Sequence, residues 1–166
     1  EHTCGLLLSG GYPELYAEEL SENTAMRQEI LQALQTGMPV IAECGGFLYL
    51  HRTLQTKNGA AFPMVGWIDG EAFPTERLQR FGYITMTAQQ DTLFCNAGET
   101  IKGHEFHYWD STACGEAFLA KKTNGKSWYC GHSTKTSYAG FPHFYFYANT
   151  HMAERFVQQC AEYGGC

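Results

Sequence analysis

The segment Val40-Ile41-Ala42-Glu43-Cys44-Gly45-Gly46-Phe47 constrains the chain more than any other. Val40 to Ala42 is a short apolar run and reads as a strand buried on both faces. The two glycines after Cys44 let a helix begin at once. A strand that delivers a cysteine to such a turn exposes the thiol at the carboxyl end of a sheet, where open α/β sheets keep their ligand sites. A helix N-terminus behind the sulfur favours the thiolate, and the Gly45 N–H faces any oxyanion that forms there. The plainer alternative is a small buried cysteine beside a Gly-Gly strand end.

The flanking sequence fits the same architecture. Cys4 to Leu8 is a second short apolar run, read as a buried strand that stops at Ser9-Gly10-Gly11. Pro13 suits a first helical turn, and Glu14, Glu18 and Glu19 suit the N-terminal half of the helix that follows. A further helix is expected from Asn23 or Thr24, with Met26, Ile30 and Leu34 on one face and Gly37 and Pro39 ending it. Strand, helix, strand, helix is the grammar of a parallel sheet with covering helices.

The second half alternates instead. Phe81 to Thr87 and Gly103 to Trp109 read as strands, and Asn124-Gly125 predicts a two-residue hairpin turn between Ala117–Lys122 and Lys126–Cys130. Tyr138 to Tyr147 reads as one aromatic strand, and Asn149 or Thr150 as the cap of a last helix presenting Met152, Phe156 and Cys160. The predicted fold class is α/β: one domain over residues 1–166, an open, mostly parallel sheet with flanking helices and antiparallel additions in the second half.

Charge and cysteine usage narrow the function. Eleven Lys+Arg against seventeen Asp+Glu give a net charge of −6, and the only adjacent basic pair is Lys121-Lys122, so no nucleic-acid partner is expected. No apolar run is long enough to span a bilayer, so no membrane partner is expected. Seven cysteines without a Cys-x-x-Cys pair argue against a secreted disulfide framework. The expected compartment is a reducing cytoplasm, with most thiols buried.

A thiolate nucleophile needs a histidine to accept and return its proton. His143 is the choice, because it interrupts the most aromatic segment just before the last helix. His2 and His51 read as surface residues, and His132 and His151 as solvated or capping. In a strand, Glu105 and His107 share one face and His104 and Phe106 the other, so His104 and His107 diverge and no metal site is expected. Glu105 and His107 either line a site or form an ordinary polar face. The Gly10-Gly11 loop, with Tyr12 after it, lacks the lysine of a phosphate loop and reads as a plain turn or as a second source of oxyanion donors.

Taken together, Leu7-Leu8-Ser9-Gly10-Gly11-Tyr12-Pro13-Glu14-Leu15 and Met38-Pro39-Val40-Ile41-Ala42-Glu43-Cys44-Gly45-Gly46-Phe47-Leu48-Tyr49-Leu50 resemble the glutamine amidotransferase domain of cobyrinic acid a,c-diamide synthases. Arg80-Phe81-Gly82-Tyr83, Gly103-His104-Glu105-Phe106-His107-Tyr108 and the stretch around His143 resemble its later motifs, in order. The resemblance covers essentially the whole chain. It implies the flavodoxin-like fold of class I, triad-type glutaminases. It further implies Cys44 as nucleophile, His143 as base, and Gly11 and Gly45 as backbone oxyanion donors. Tyr12, Glu105 and His107 are then candidates for substrate binding or orientation. The implied partners are L-glutamine and an ATP-dependent synthetase domain that carries the corrinoid acceptor. No cofactor is implied for this domain, and ATP and Mg²⁺ for the synthetase.

The sequence departs from the family pattern in three ways. No phosphate loop occurs, so the synthetase domain is expected to lie elsewhere. The chain starts almost at its first strand, so upstream strands of the sheet are expected to be missing, with a homodimer through the open edge as one outcome. Tyr145 stands two residues after His143, where many class I glutaminases place a glutamate to orient the histidine; Glu105 or a backbone carbonyl is expected to orient it here. Two other readings stay open on residues alone, a stand-alone cysteine hydrolase of similar topology and a non-catalytic amidotransferase-like module.

Overall fold

The computed structural model describes residues 3–165. In chain order its strands are β1 (Leu6–Leu8), β2 (Val40–Glu43), β3 (His51–Gln55), β4 (Ala61–Pro63), β5 (Ile68–Pro74), β6 (Arg80–Ala88), β7 (Thr100–His107), β8 (Trp109–Ser111), β9 (Phe118–Lys121), β10 (Ser127–Cys130), β11 (His132–Ser133), β12 (Ser137–Gly140) and β13 (His143–Phe144). The α-helices are α1 (Ala17–Glu22), α2 (Thr24–Gln35), α3 (Gly45–Tyr49) and α4 (Thr150–Gly164).

The strands form three sheets. One has the order β1-β2-β12-β11, with β2 parallel to both β1 and β12. A second is wholly antiparallel, β10-β9-β6-β7-β13, and the third runs β4-β3-β5-β8. The expected parallel segment with flanking helices is therefore present, and the antiparallel additions hold more strands than it does. β1 is half-buried rather than buried, with Leu7 60% exposed at the edge of its sheet.

Strand β2 joins the two cores of the molecule. All four of its residues are buried, and because strand side chains alternate, Val40 and Ala42 enter one cluster and Ile41 the other. The first cluster also contains Phe47, Leu50, Leu54 and Phe141, while the second contains Met86, Phe118, Tyr138 and Met152. Truncating Phe47, fully buried on the inner face of α3, would cost about 3–5 kcal/mol by the usual core penalty. By the same alternation Glu43 takes the Ile41 side, which the antiparallel sheet covers.

Local chemistry explains most element boundaries. The Asn23 side chain caps α2 by accepting from the Met26 N–H at 3.2 Å, and Gly37 at φ +87 ends that helix. Ile30 and Leu34 are buried, whereas Met26 of the same stripe stays exposed. The hairpin between β9 and β10 has three loop residues rather than two. Gly125 N–H donates to the Lys122 carbonyl, Lys122 N–H to Lys126, and Gly125 alone has positive φ, the form of a turn followed by a bulge.

The aromatic segment 138–147 is divided. β12 belongs to the parallel sheet and β13 to the antiparallel one, and the chain crosses between them at Phe141-Pro142. The Tyr138 hydroxyl donates to the Pro142 carbonyl at 3.1 Å and fixes that crossing. Proline lacks a ladder donor, so the strand could not continue through it. His51 is a second departure from expectation. It is fully buried, donating from Nδ1 to the Phe47 carbonyl and accepting from Ser111 at Nε2, and burial pushes its pKa down to about 4. The cysteines are less buried than expected, since Cys4, Cys44, Cys114 and Cys160 are only partly covered while Cys95 and Cys130 are buried. His2 and Cys166 lie outside the described residues.

Candidate active site

Cys44 sits where β2 passes into α3. Its φ of 49° makes it the one non-glycine residue with positive φ among those described, the strained turn that carries a side chain clear of the sheet. Its own N–H is taken by the Gly140 carbonyl at 2.8 Å, which ties the turn to β12. The glycines that follow are required by contact. A Cβ on Gly46 would lie 2.1 Å from the Leu8 carbonyl oxygen, and one on Gly45 2.6–2.9 Å from Gly11 backbone atoms. The 10–11 loop thus lies directly on the start of α3, and Gly10 lies on His143, whose Cε1 a Cβ there would meet at 2.6 Å.

His143 arrives from the other sheet, paired with His104 of β7. Its Nδ1 is 3.3 Å from the Glu43 Oε2, and the neighbouring Phe144 N–H donates to Glu43 Oε1 at 3.0 Å. One carboxylate thereby holds both residues of β13 in place and occupies the Nδ1 side of the ring. The Cys44 sulfur beside the ring, then the Glu43 carboxylate, raises the His143 pKa from 6.5 to about 10 against the opposing effect of burial. An imidazolium beside a sulfur, fixed from behind by a carboxylate, is the arrangement of an activated thiol nucleophile.

A cavity of about 740 Å³ opens over this group. Gly10, Gly11, Cys44 and His143 lie along it, with Tyr12, 66% exposed, at its rim and Glu14 and Lys57 in its wall. His104, Phe106, His107 and Tyr108 line it from the antiparallel sheet. The Cys44 sulfur lies 3.9 Å from the Phe106 carbonyl oxygen. His107 is buried, stacks on Phe141 at 3.7 Å between ring centres and donates from Nδ1 to the Trp109 carbonyl at 2.6 Å. Burial lowers its pKa, and its Nε2, a bare acceptor, has no hydrogen-bond partner.

Glu105 does not orient His143. It shares the inward face of β7 with His107, is 1% exposed, and is absent from the cavity wall. Its nearest cationic partner is the Arg80 guanidinium at 3.9 Å, and its Oε2 makes no hydrogen bond. The strand alternation that pairs it with His107 is also what turns it into the core. Glu43 takes the orienting position instead. The signal for it was present in the sequence, because a lone acid at the end of an otherwise apolar buried strand must find donors nearby.

Residues 2–151 match the family described as the CobB/CobQ-like glutamine amidotransferase domain. The chain belongs to that family. CobB/CobQ-like relatives include the cobyrinate a,c-diamide synthase of Caldanaerobacter subterraneus subsp. tengcongensis, 38% identical over 99% of this chain and 37% of that protein. Those of Picrophilus torridus and Salmonella typhimurium are also 38% identical, over 94% and 90% of this chain and 34% of each relative. The chain thus spans about a third of the length of these curated relatives. Among solved structures, a glutamine amidotransferase superposes with a TM-score of 0.59 at 12% identity, covering 98% of this chain and 80% of that one. PurLQS from Thermotoga maritima superposes at 0.61 and 15% identity, covering 95% and 78%. Those two share the fold of this CobB/CobQ-like domain, the α/β fold of class I glutamine amidotransferases. Among the described residues no helix is long and apolar enough to cross a membrane, and no group of three or more His, Cys, Asp or Glu could hold a metal ion.

Proposed function

We propose that this chain hydrolyses L-glutamine at Cys44 and supplies the ammonia to an ATP-dependent amide-forming portion of the same enzyme. The reading rests on one observation, the His143 imidazole held between the Glu43 carboxylate and the Cys44 sulfur beneath the open cavity. The Cys44 thiolate attacks the side-chain amide carbon, and the tetrahedral oxyanion forms beside α3. When it collapses the C–N bond breaks, His143 gives its proton to the departing nitrogen, and ammonia leaves a thioester. His143 then takes a proton from water, whose hydroxide attacks the thioester and releases glutamate and the thiolate.

Two backbone donors serve the oxyanions in this reading. The Gly45 N–H heads α3, where first-turn amides have no intrahelical acceptor, and the Gly11 N–H donates to nothing among the described residues. Losing one such donor typically costs ~2.7–4 kcal/mol of barrier. That Gly11 packs on Gly45 makes the pair sensitive to any side chain added at either position.

The names of the relatives point to the a- and c-carboxylates of cobyrinate as acceptor, in corrinoid biosynthesis. ATP and Mg²⁺ then act in the remaining two thirds of such an enzyme, which activates the carboxylates and receives the ammonia. The reading places the chain in a reducing cytoplasm, where Cys44 stays a thiol. Covalent trapping tests it: the full-length protein is treated with a diazo-ketone analogue of glutamine and the modified residue located by peptide mass spectrometry. Labelling confined to Cys44 and prevented by glutamine is expected. Labelling spread over several cysteines without glutamine protection would overturn the reading.

A further inference from the structure

Glu14 and Lys57 line the Cys44 cavity from two different elements. Glu14 lies in the 3-10 turn Pro13–Leu15, directly after the Gly10-Gly11 loop. Lys57 lies in the turn between β3 and β4. They are the acidic and the basic side chain on the cavity wall, beside Cys44 and the histidines, and they are opposite in sign. The Lys57 ammonium is close enough to stabilise the Glu14 carboxylate, yet the two form no ion pair, and neither has another ion-pair partner among the described residues.

Lys57 is held in place by its aromatic neighbour. The Lys57 ammonium sits 5.7 Å above the centre of the Trp109 ring, and that buried ring is itself anchored by its indole N–H donating to the Gln55 carbonyl at 2.8 Å. The Glu14 carboxylate is half-buried where the 3-10 turn meets the cavity. Burial raises its pKa, so the group is short of solvation and gains from a cationic hydrogen-bond partner. Two opposite charges that face one cavity without touching leave room between them for a ligand that carries both.

We infer that Glu14 and Lys57 form the subsite for the α-amino-acid head of the substrate, Glu14 accepting hydrogen bonds from the α-ammonium and Lys57 pairing with the α-carboxylate. The inference rests on the glutaminase reading and adds the residues that select a free amino acid over a peptide-bound or headless amide. The head carries both charges on one carbon, so a paired receptor at one end of the cavity fixes the amide at the other, against Cys44. Lys57 is exposed and its turn bears no other part of the site, so its substitution leaves the fold intact.

Ammonia release by the full-length protein tests this with three substrates. They are L-glutamine, 4-carbamoylbutanoate (which lacks the α-amino group) and 4-aminobutanamide (which lacks the carboxylate). The wild type is expected to prefer glutamine to each analogue by about 10- to 100-fold in kcat/KM, the range for a charge-assisted hydrogen bond. Glu14→Gln should abolish the preference over 4-carbamoylbutanoate and keep that over 4-aminobutanamide; Lys57→Met should do the reverse. Variants that slow all three substrates equally, or leave both preferences whole, would overturn the subsite while glutamine hydrolysis by the wild type still upholds the reading beneath it. A wild type that releases no ammonia from glutamine removes both.

Discussion

Glu43 and Glu105 are the two buried carboxylates among the described residues, 9% and 1% exposed. Burial does not separate them; their partners do. Glu43 receives the His143 Nδ1 and the Phe144 N–H, one on each oxygen. Glu105 faces a guanidinium at 3.9 Å and has an oxygen with no hydrogen bond, and burial raises its pKa from 4.5 to about 7. A buried carboxylate with both oxygens bonded can hold a histidine and a strand end in register. One with a buried oxygen left unbonded is a charge the fold tolerates only by favouring its proton. The comparison locates the positioning carboxylate at the elbow strand rather than at the Glu-x-His pair.

Exchanging each carboxylate for its amide probes this most directly. Glu43→Gln presents an NH₂ group where His143 needs an acceptor, so glutaminase kcat/KM should fall by roughly 10²–10⁴, the range for a triad acid replaced by its amide or a general acid–base lost. Glu105→Gln should leave kcat/KM within about threefold, since Glu105 is not on the cavity wall. Equal losses in the two variants, by steady-state ammonia release, would erase the distinction.

The pH dependence sharpens it. The imidazolium of His143 persists up to about pH 10, so the alkaline limb of kcat/KM should lie near that value. Glu43 is the second-largest cause of the raised pKa. Its neutralisation should therefore move the limb to lower pH, and Glu105→Gln should not move it. A limb fixed in both variants would show that Glu43 does not face the imidazolium in solution.

What could be read from the sequence follows where one element supplies its own explanation. The cap at Asn23, the stop at Gly37 and the Cys44 elbow are local, and their residues name their conformations. The split of 138–147 between two sheets was not local, because aromatic alternation looks the same whether a strand continues or the chain crosses over at Pro142. His51 looked like a surface residue beside Arg52, and only the arrival of Ser111 from β8 satisfies its second nitrogen. Glu43 was hidden for a similar reason, since the sulfur next to it drew the chemistry while its partners come from about 100 residues later. The 9–11 loop, Cys44 and His143 could each be singled out, but that Gly10 lies on His143 and Gly11 on Gly45 is a fact of packing alone.

Stability against pH separates the carboxylates a third way. Because the folded pKa of Glu105 is raised, folding takes up a proton between about 4.5 and 7. The stability this contributes is full below about 4.5 and is lost as pH rises through about 7, a change on the order of 3 kcal/mol. Urea unfolding of Glu105→Gln should lack that loss, so the variant gains on the wild type as pH rises from 4.5 to 8. A wild type and variant with parallel profiles would mean that Glu105 is ionised as readily in the folded chain as in the unfolded one.

The smallest effect concerns Arg80, which plays two parts at once. Its guanidinium lies 4.3 Å over the Trp128 ring and 3.9 Å from Glu105, where it lowers a pKa that burial has raised. Arg80→Met keeps much of the packing on Trp128 and removes the charge. The Glu105 pKa then moves above about 7, so the variant should match the wild type near pH 5, where the carboxyl is protonated, and fall behind by about 1 kcal/mol at pH 9. In the Glu105→Gln background that pH dependence should disappear, because the charge it acts on is gone. A penalty that is the same at both pH values and survives in the double variant would assign Arg80 to the indole alone, leaving the more distant Lys122 as the cation that acts on Glu105 and making its contrast with Glu43 sharper still.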